Sequence, residues 1–74
     1  MKVKVFGVLR TYTDGKKVIE ITVTSEKRVK DVIEMLNIPD QFVSLVESGG
    51  KAIGKDSIID DACEITLVPL VHGG

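Results

Sequence analysis

The hydrophobic period of this chain changes partway along, and that change limits the fold more than any other feature. Val29, Val32, Ile33 and Leu36 fall at i, i+3, i+4 and i+7, a helical stripe whose other side carries Arg28, Lys30, Asp31 and Glu34. On either side the pattern alternates at period two, as half-buried strands require. Lys2-Val3-Lys4-Val5-Phe6 predicts a strand with Val3 and Val5 inward and Lys2, Lys4 and Phe6 on the outer face. Val18 to Val23 alternates again after the turn signal Asp14-Gly15-Lys16-Lys17, so the two runs predict a hairpin with a long, irregular loop around Leu9 to Thr13. Ser25 is the expected helix N-cap, and Asn37 and Pro39 end the helix. Phe42 to Val46 predicts a further strand with Val43 and Leu45 inward, turning at Ser48-Gly49-Gly50-Lys51 into Ala52-Ile53. Glu64 to Val68 is the last strand, with Ile65 and Leu67 inward, stopped by Pro69. The order β, β, α, β, (β), β predicts an α+β fold, a mixed sheet covered by one main helix.

Size and composition narrow the function. A chain of 74 residues is read as one domain, residues 1–69, with a C-terminal tail, 70–74. Ten basic and eleven acidic residues leave a net charge of -1, which argues against nucleic-acid binding by bulk charge. Charge is unevenly placed: residues 1–30 carry a net +5 and 31–74 a net -6, which points to attraction between the two halves or to a patch that steers a partner. No apolar run approaches the ~20 residues of a membrane span, and Met1-Lys2-Val3-Lys4 lacks a signal peptide's apolar core. With the single Cys63 there is no internal disulfide, so the expected location is cytoplasmic.

Catalytic inventory is thin. There is no phosphate-binding glycine loop and no Cys/His set with metal-ligand spacing, and the sole histidine, His72, sits between an apolar tail and two glycines. Cys63 reads as a small, partly buried residue, and Asp56, Asp60 and Asp61 as loop carboxylates without the alternation of a calcium loop. The tail is different. Leu70 to Gly74, when extended, reaches roughly 15 Å, long enough to enter another protein's active site. Gly73 and Gly74 have no side chain to obstruct a narrow channel and leave the terminal carboxylate open to attack. A carboxylate becomes an acyl donor only after conversion to a good leaving group, such as an acyl adenylate. No cofactor is expected on this chain, so ATP must be used by a separate activating enzyme.

Several stretches carry a resemblance. Lys2 to Arg10, the helix after Ser25, Asp61-Ala62-Cys63-Glu64-Ile65 and the ending Val68-Pro69-Leu70-Val71-His72-Gly73-Gly74 resemble the MoaD/ThiS sulfur carriers, ubiquitin-like β-grasp proteins. The Phe6-x-x-Leu9-Arg10 element places the likeness nearer the small subunit of molybdopterin synthase. Ala62 and Cys63 replace a glycine and an aspartate of that family's pattern, and Leu70 and His72 replace a proline and a hydroxyl residue. The resemblance implies that Gly74 is adenylated by an E1-like enzyme and becomes a thiocarboxylate that donates sulfur, in molybdenum or tungsten cofactor synthesis first, in thiamine or tRNA thiolation otherwise. The chain would then be a carrier and not an enzyme, working with the activating enzyme and a large catalytic subunit of molybdopterin synthase type. Gly73 gives clearance in that reading, Leu70, Val71 and His72 guide the tail, and Phe6, Thr66 and Val68 on the open sheet face dock the partner. A protein modifier joined through Gly74 to target lysines, and a binding module with an incidental diglycine, are the alternatives.

Overall fold

The computed structural model describes residues 1–70. Among these residues seven strands, β1 (Lys2–Val5), β2 (Val18–Glu20), β3 (Lys27–Arg28), β4 (Val43–Ser48), β5 (Lys51–Ile53), β6 (Ile58–Ile59) and β7 (Glu64–Pro69), accompany one α-helix, α1 (Val29–Met35), and two 3-10 helices, Gly7–Thr13 and Asp40–Phe42. Five strands form a sheet in the order β2-β1-β7-β4-β5, and β3 and β6 form a separate small ladder. The first and last long strands, β1 and β7, lie parallel at the centre, while every other pairing is antiparallel. This is the mixed, helix-covered sheet of a β-grasp.

The expected parities hold in the two central strands. Val3, Val5, Ile65 and Leu67 are at most 1 % exposed and meet Val29, Val32 and Ile33 of α1 in one core. Each such aliphatic side chain contributes on the order of 1.5–3 kcal/mol on burial. Asn37 ends the helix as expected, and it does so in the left-handed conformation, φ 59°. The Ile38 N–H donates to the Ile33 carbonyl and the Asn37 N–H to the Glu34 carbonyl, satisfying two orphan acceptors, while Ile33 and Ile38 are both buried beneath the turn. No helix among the described residues is long and apolar enough to cross a membrane.

Four expectations change. The helix starts at Val29, with Arg28 and not Ser25 as the N-cap; the Arg28 N–H donates to the Asp31 carboxylate at 2.9 Å, which satisfies a donor at the helix start. The β2 strand is shorter than the alternating run, because after Ile21 the chain leaves β1 and the Val23 N–H is taken by Asp61 Oδ1 at 2.8 Å. The irregular loop contains a 3-10 helix over Gly7–Thr13 that drives Leu9 fully into the core. Leu45 points outward, because Val43 pairs with Pro69 and Leu45 with Val68, leaving Ser44 as an extra residue. That bulge flips the parity: Val43 and Val46 are buried, and Leu45 is 38 % exposed. Its place opposite Pro69, which has no N–H for the ladder, is where a bulge disrupts least.

Candidate functional site

Strand direction decides what surrounds the start of the tail. Because β1 runs parallel to β7, the residues that follow β1 lie beside the end of β7. Because β2 and β4 run antiparallel to those neighbours, the residues that precede them lie at the same end. One end of the sheet therefore gathers Phe6 and Val8, the Lys16-Lys17 turn, Phe42 and Leu70. Gly7 makes the approach possible: its φ is +57°, and a Cβ there would stand 3.3 Å from Pro69 Cγ. Leu70 is tied to the sheet, its N–H donating to the Phe42 carbonyl at 2.9 Å.

The open face of the sheet grades from charged to apolar toward that end. Glu64, Thr66 and Val68 alternate outward along β7, with Lys4 and Glu47 registered on either side of Thr66 and Leu45 beside Val68. Lys4 Nζ meets Glu64 Oε1 at 3.0 Å, and this hydrogen bond and the lysine's charge hold the Glu64 carboxyl below its ordinary range. Both partners are about half exposed, so the pair adds little to stability. Beyond it the surface turns apolar. Phe6, extended at φ -125° and ψ 155°, continues the outward parity of Lys2 and Lys4 and is 53 % exposed. Val8, Phe42, Leu45 and Leu70 are exposed as well. An open groove of about 430 Å³ runs between Val8, Gln41, Phe42 and Leu70.

The structure thus brings Phe6, Thr66, Val68 and Leu70 onto one face and one edge of the sheet, with Thr66 and Val68 partly buried. Val71, His72, Gly73 and Gly74 lie outside the described residues. Sequence reasoning missed Val8, Phe42 and Leu45 at this surface. The proline at 69, opposite the start of an apolar run, was the available signal for the bulge that exposes Leu45.

The other candidates are engaged elsewhere. Asp56 pairs with Lys30 at 3.1 Å, Asp60 accepts the Ala62 N–H at 2.9 Å, and Asp61 Oδ1 accepts from the Met1 ammonium at 3.0 Å. The Val23 N–H, and then the Met1 ammonium, hold the Asp61 carboxyl below its ordinary range. Cys63 packs against the core, and its N–H closes a turn on the Asp60 carbonyl at 3.0 Å. No residue from 60 to 63 has a positive φ, so Ala62 and Cys63 stand there without strain where the resembled family has a glycine. A larger open recess, about 610 Å³, lies at the opposite end of the sheet, among Met1, Lys2, Glu20 and Asp61. Among the described residues no three His, Cys, Asp or Glu side chains group as a metal site.

The apolar end of this surface surrounds Leu70, the last described residue. The comparisons with known proteins give the family and the fold. The model of the ThiS family matches residues 3–74, and the chain belongs to that family, the ThiS/MoaD group of small ubiquitin-like sulfur carriers. Its members are carriers and not catalysts, and work with E1-like enzymes and further partner enzymes. The fold is similar to that of SAMP1 from Haloferax volcanii, with a TM-score of 0.74 at 21 % identity, covering 100 % of this chain and 98 % of that one. It is also similar to a thiamine biosynthesis protein from Geobacter metallireducens, with a TM-score of 0.56 at 16 % identity, covering 100 % and 88 %. No curated protein matches the chain in sequence.

Proposed function

We propose that this chain carries sulfur on Gly74. The observation that carries the reading is that the family match runs through residue 74, so the terminal diglycine lies inside the shared region. A Gly74 carboxylate oxygen attacks the α-phosphorus of ATP on an E1-like enzyme, and pyrophosphate leaves. Hydrosulfide then attacks the acyl carbon, the acyl–phosphate bond breaks, and AMP leaves, which yields the thiocarboxylate with no change of oxidation state. Gly73 provides clearance, and Leu70, Val71 and His72 guide the tail. Residues 1–69 serve as the presenting domain, with Phe6, Thr66 and Val68 as docking groups. From the anchored Leu70, the four residues that follow span about 13 Å when extended, which sets the depth of channel they can fill.

The acceptor in this reading is a molybdopterin precursor held by a large catalytic subunit of molybdopterin synthase type. Support comes from the Phe6-x-x-Leu9-Arg10 element. Leu9 is fully buried and fixes the 3-10 helix, which leaves Phe6 exposed and Arg10 partly exposed. The working location is the cytoplasm, where ATP and reduced sulfur donors are at hand.

Intact-mass measurement after incubation with ATP, an E1-like enzyme and a sulfur donor tests the proposal. Replacement of one oxygen by sulfur on the full chain, absent when Gly73 and Gly74 are deleted, is the expected result. Larger conjugates on lysines instead of the sulfur product establish the modifier reading. Transfer of the sulfur to a thiazole precursor in preference to a molybdopterin precursor moves the acceptor to thiamine synthesis.

A further inference from the structure

Three of the four ion pairs among the described residues, Met1–Asp61, Lys4–Glu64 and Lys30–Asp56, join the basic first half of the chain to its acidic second half. The attraction expected from the sequence therefore operates within the fold. Six cations of the first half, Lys2, Arg10, Lys16, Lys17, Lys27 and Arg28, make no ion pair among the described residues. Of these, Arg10, Lys16 and Lys17 share one turn. The backbone holds them together: the Lys16 N–H donates to the Thr13 carbonyl at 3.0 Å, the Gly15 N–H to the Arg10 carbonyl at 2.8 Å, and the Lys17 carbonyl accepts the Val5 N–H at 2.9 Å. Thr13, buried, locks this turn by donating its hydroxyl to the Lys16 carbonyl at 2.7 Å. Of the carboxylates at the same end, Asp14 belongs to the turn and Asp40 is taken by Lys55 at 3.1 Å. At the opposite end Glu20, Asp61 and Glu64 gather around Met1 and Lys2. A protein of net charge -1 is thus polarised along its strands, positive where Phe6 and Leu70 are exposed.

We infer that the Arg10-Lys16-Lys17 turn is an electrostatic guide that orients the chain tail-first onto a protein partner whose channel entrance is rimmed with carboxylates. The inference rests on the functional reading above and names the chemistry of the activating enzyme that reading requires. Charges beside an apolar contact act mainly on encounter: they raise the association rate and suppress wrong orientations, while the apolar groups supply most of the affinity. Repulsion between the partner's rim and the acidic far end disfavours the reversed approach. A nucleic acid is the weaker fit, because three cations on a chain of net charge -1 offer few phosphate contacts.

The experiment compares wild type with the double variant Lys16→Glu, Lys17→Glu. ATP–pyrophosphate exchange is followed with the E1-like enzyme of the same organism, at subsaturating carrier and at low and high ionic strength. Both side chains are exposed and outside the core, and thermal unfolding checks that the variant folds as wild type does. The expected result is a fall in kcat/KM of roughly tenfold at low salt, with kcat little changed. The difference closes toward about 1 M salt, where the screening length is about 3 Å. Equal kcat/KM at low salt, or a deficit that salt does not remove, overturns the guide. So does binding of an RNA oligonucleotide by wild type that is as tight as its binding to the enzyme. No exchange with wild type overturns the carrier reading and the guide with it, whereas exchange with an unaffected variant overturns the guide alone.

Discussion

Neighbouring positions on β7 face opposite ways and do different work. Ile65 and Leu67 are fully buried against α1, while Thr66, Val68 and, just beyond the strand, Leu70 lie on the open side or at its edge. The inward row holds the fold together. The outward row grades from the Lys4–Glu64 pair to exposed apolar groups, an arrangement that gains nothing for an isolated domain. In the proposed reading, this exposed apolar surface is what a second protein contacts. That reading separates stability from recognition by strand parity, so substitutions should affect one without the other.

The sharpest way to break that separation is to mutate each row in turn. Leu67→Ala leaves a cavity in the centre of the sheet and is expected to cost about 2–5 kcal/mol of stability, measured by denaturant unfolding. Loading of Gly74 should fall only as far as the folded fraction falls. Phe6→Ala should do the converse. As an exposed aromatic it is expected to change stability by less than about 0.5 kcal/mol, yet to weaken binding to the activating enzyme by about 2 kcal/mol, roughly thirtyfold in Kd, if it anchors the contact. Titration calorimetry checks this, and an unchanged Kd removes Phe6 from the docking surface.

Gly7 is where the two rows meet, and the next effect in size belongs to it. Its left-handed backbone lets the 3-10 helix fold back against Pro69. Gly7→Val puts a branched side chain into that conformation and against Pro69 Cγ, and is expected to cost about 1–2 kcal/mol. A loss in loading greater than the unfolded fraction explains would show that Gly7 also places Phe6. A glycine near the end of the first strand has no visible purpose in the sequence, because its neighbour is 62 residues away in the chain.

That contrast runs through the whole molecule. Long periodic runs were legible because each commits several residues to one face: Val3 with Val5, Ile65 with Leu67, and Val29 with Val32 and Ile33. The helix end was legible for a local reason, Asn37 ahead of Pro39. The two-residue ladder of β3 and β6 was not, since Lys27-Arg28 and Ile58-Ile59 are too short to show a period. Leu45 was misplaced because one extra residue, Ser44, reverses the parity and alternation has no means of announcing it. At the candidate site, exposed Phe6 followed from parity alone. Phe42 and Val8 join it only through strand directions set by pairing across the chain.

The smallest expected effect tests the polar end of the comparison. Asp61 Oδ1 receives both the Val23 N–H at 2.8 Å and the Met1 ammonium at 3.0 Å, but the carboxylate is 59 % exposed, so solvent screens it. Asp61→Asn keeps an oxygen acceptor for Val23 and removes the charge, so a comparison of the two proteins isolates the ionic contribution. The folded carboxyl lies below its ordinary value of 3.8, so the unfolded chain takes up a proton first as pH falls. The stability that Asp61 contributes is therefore complete above that value and is lost as pH drops from it through the lower, folded value. Wild type should exceed the variant slightly in Tm at neutral pH, and the gap should close in acid. The Lys4–Glu64 pair is present in both proteins and titrates equally in each, so it cancels from the difference. A gap that persists unchanged into acid would mean that packing around Asp61, and not its charge, ties the start of β1 to the turn before β7.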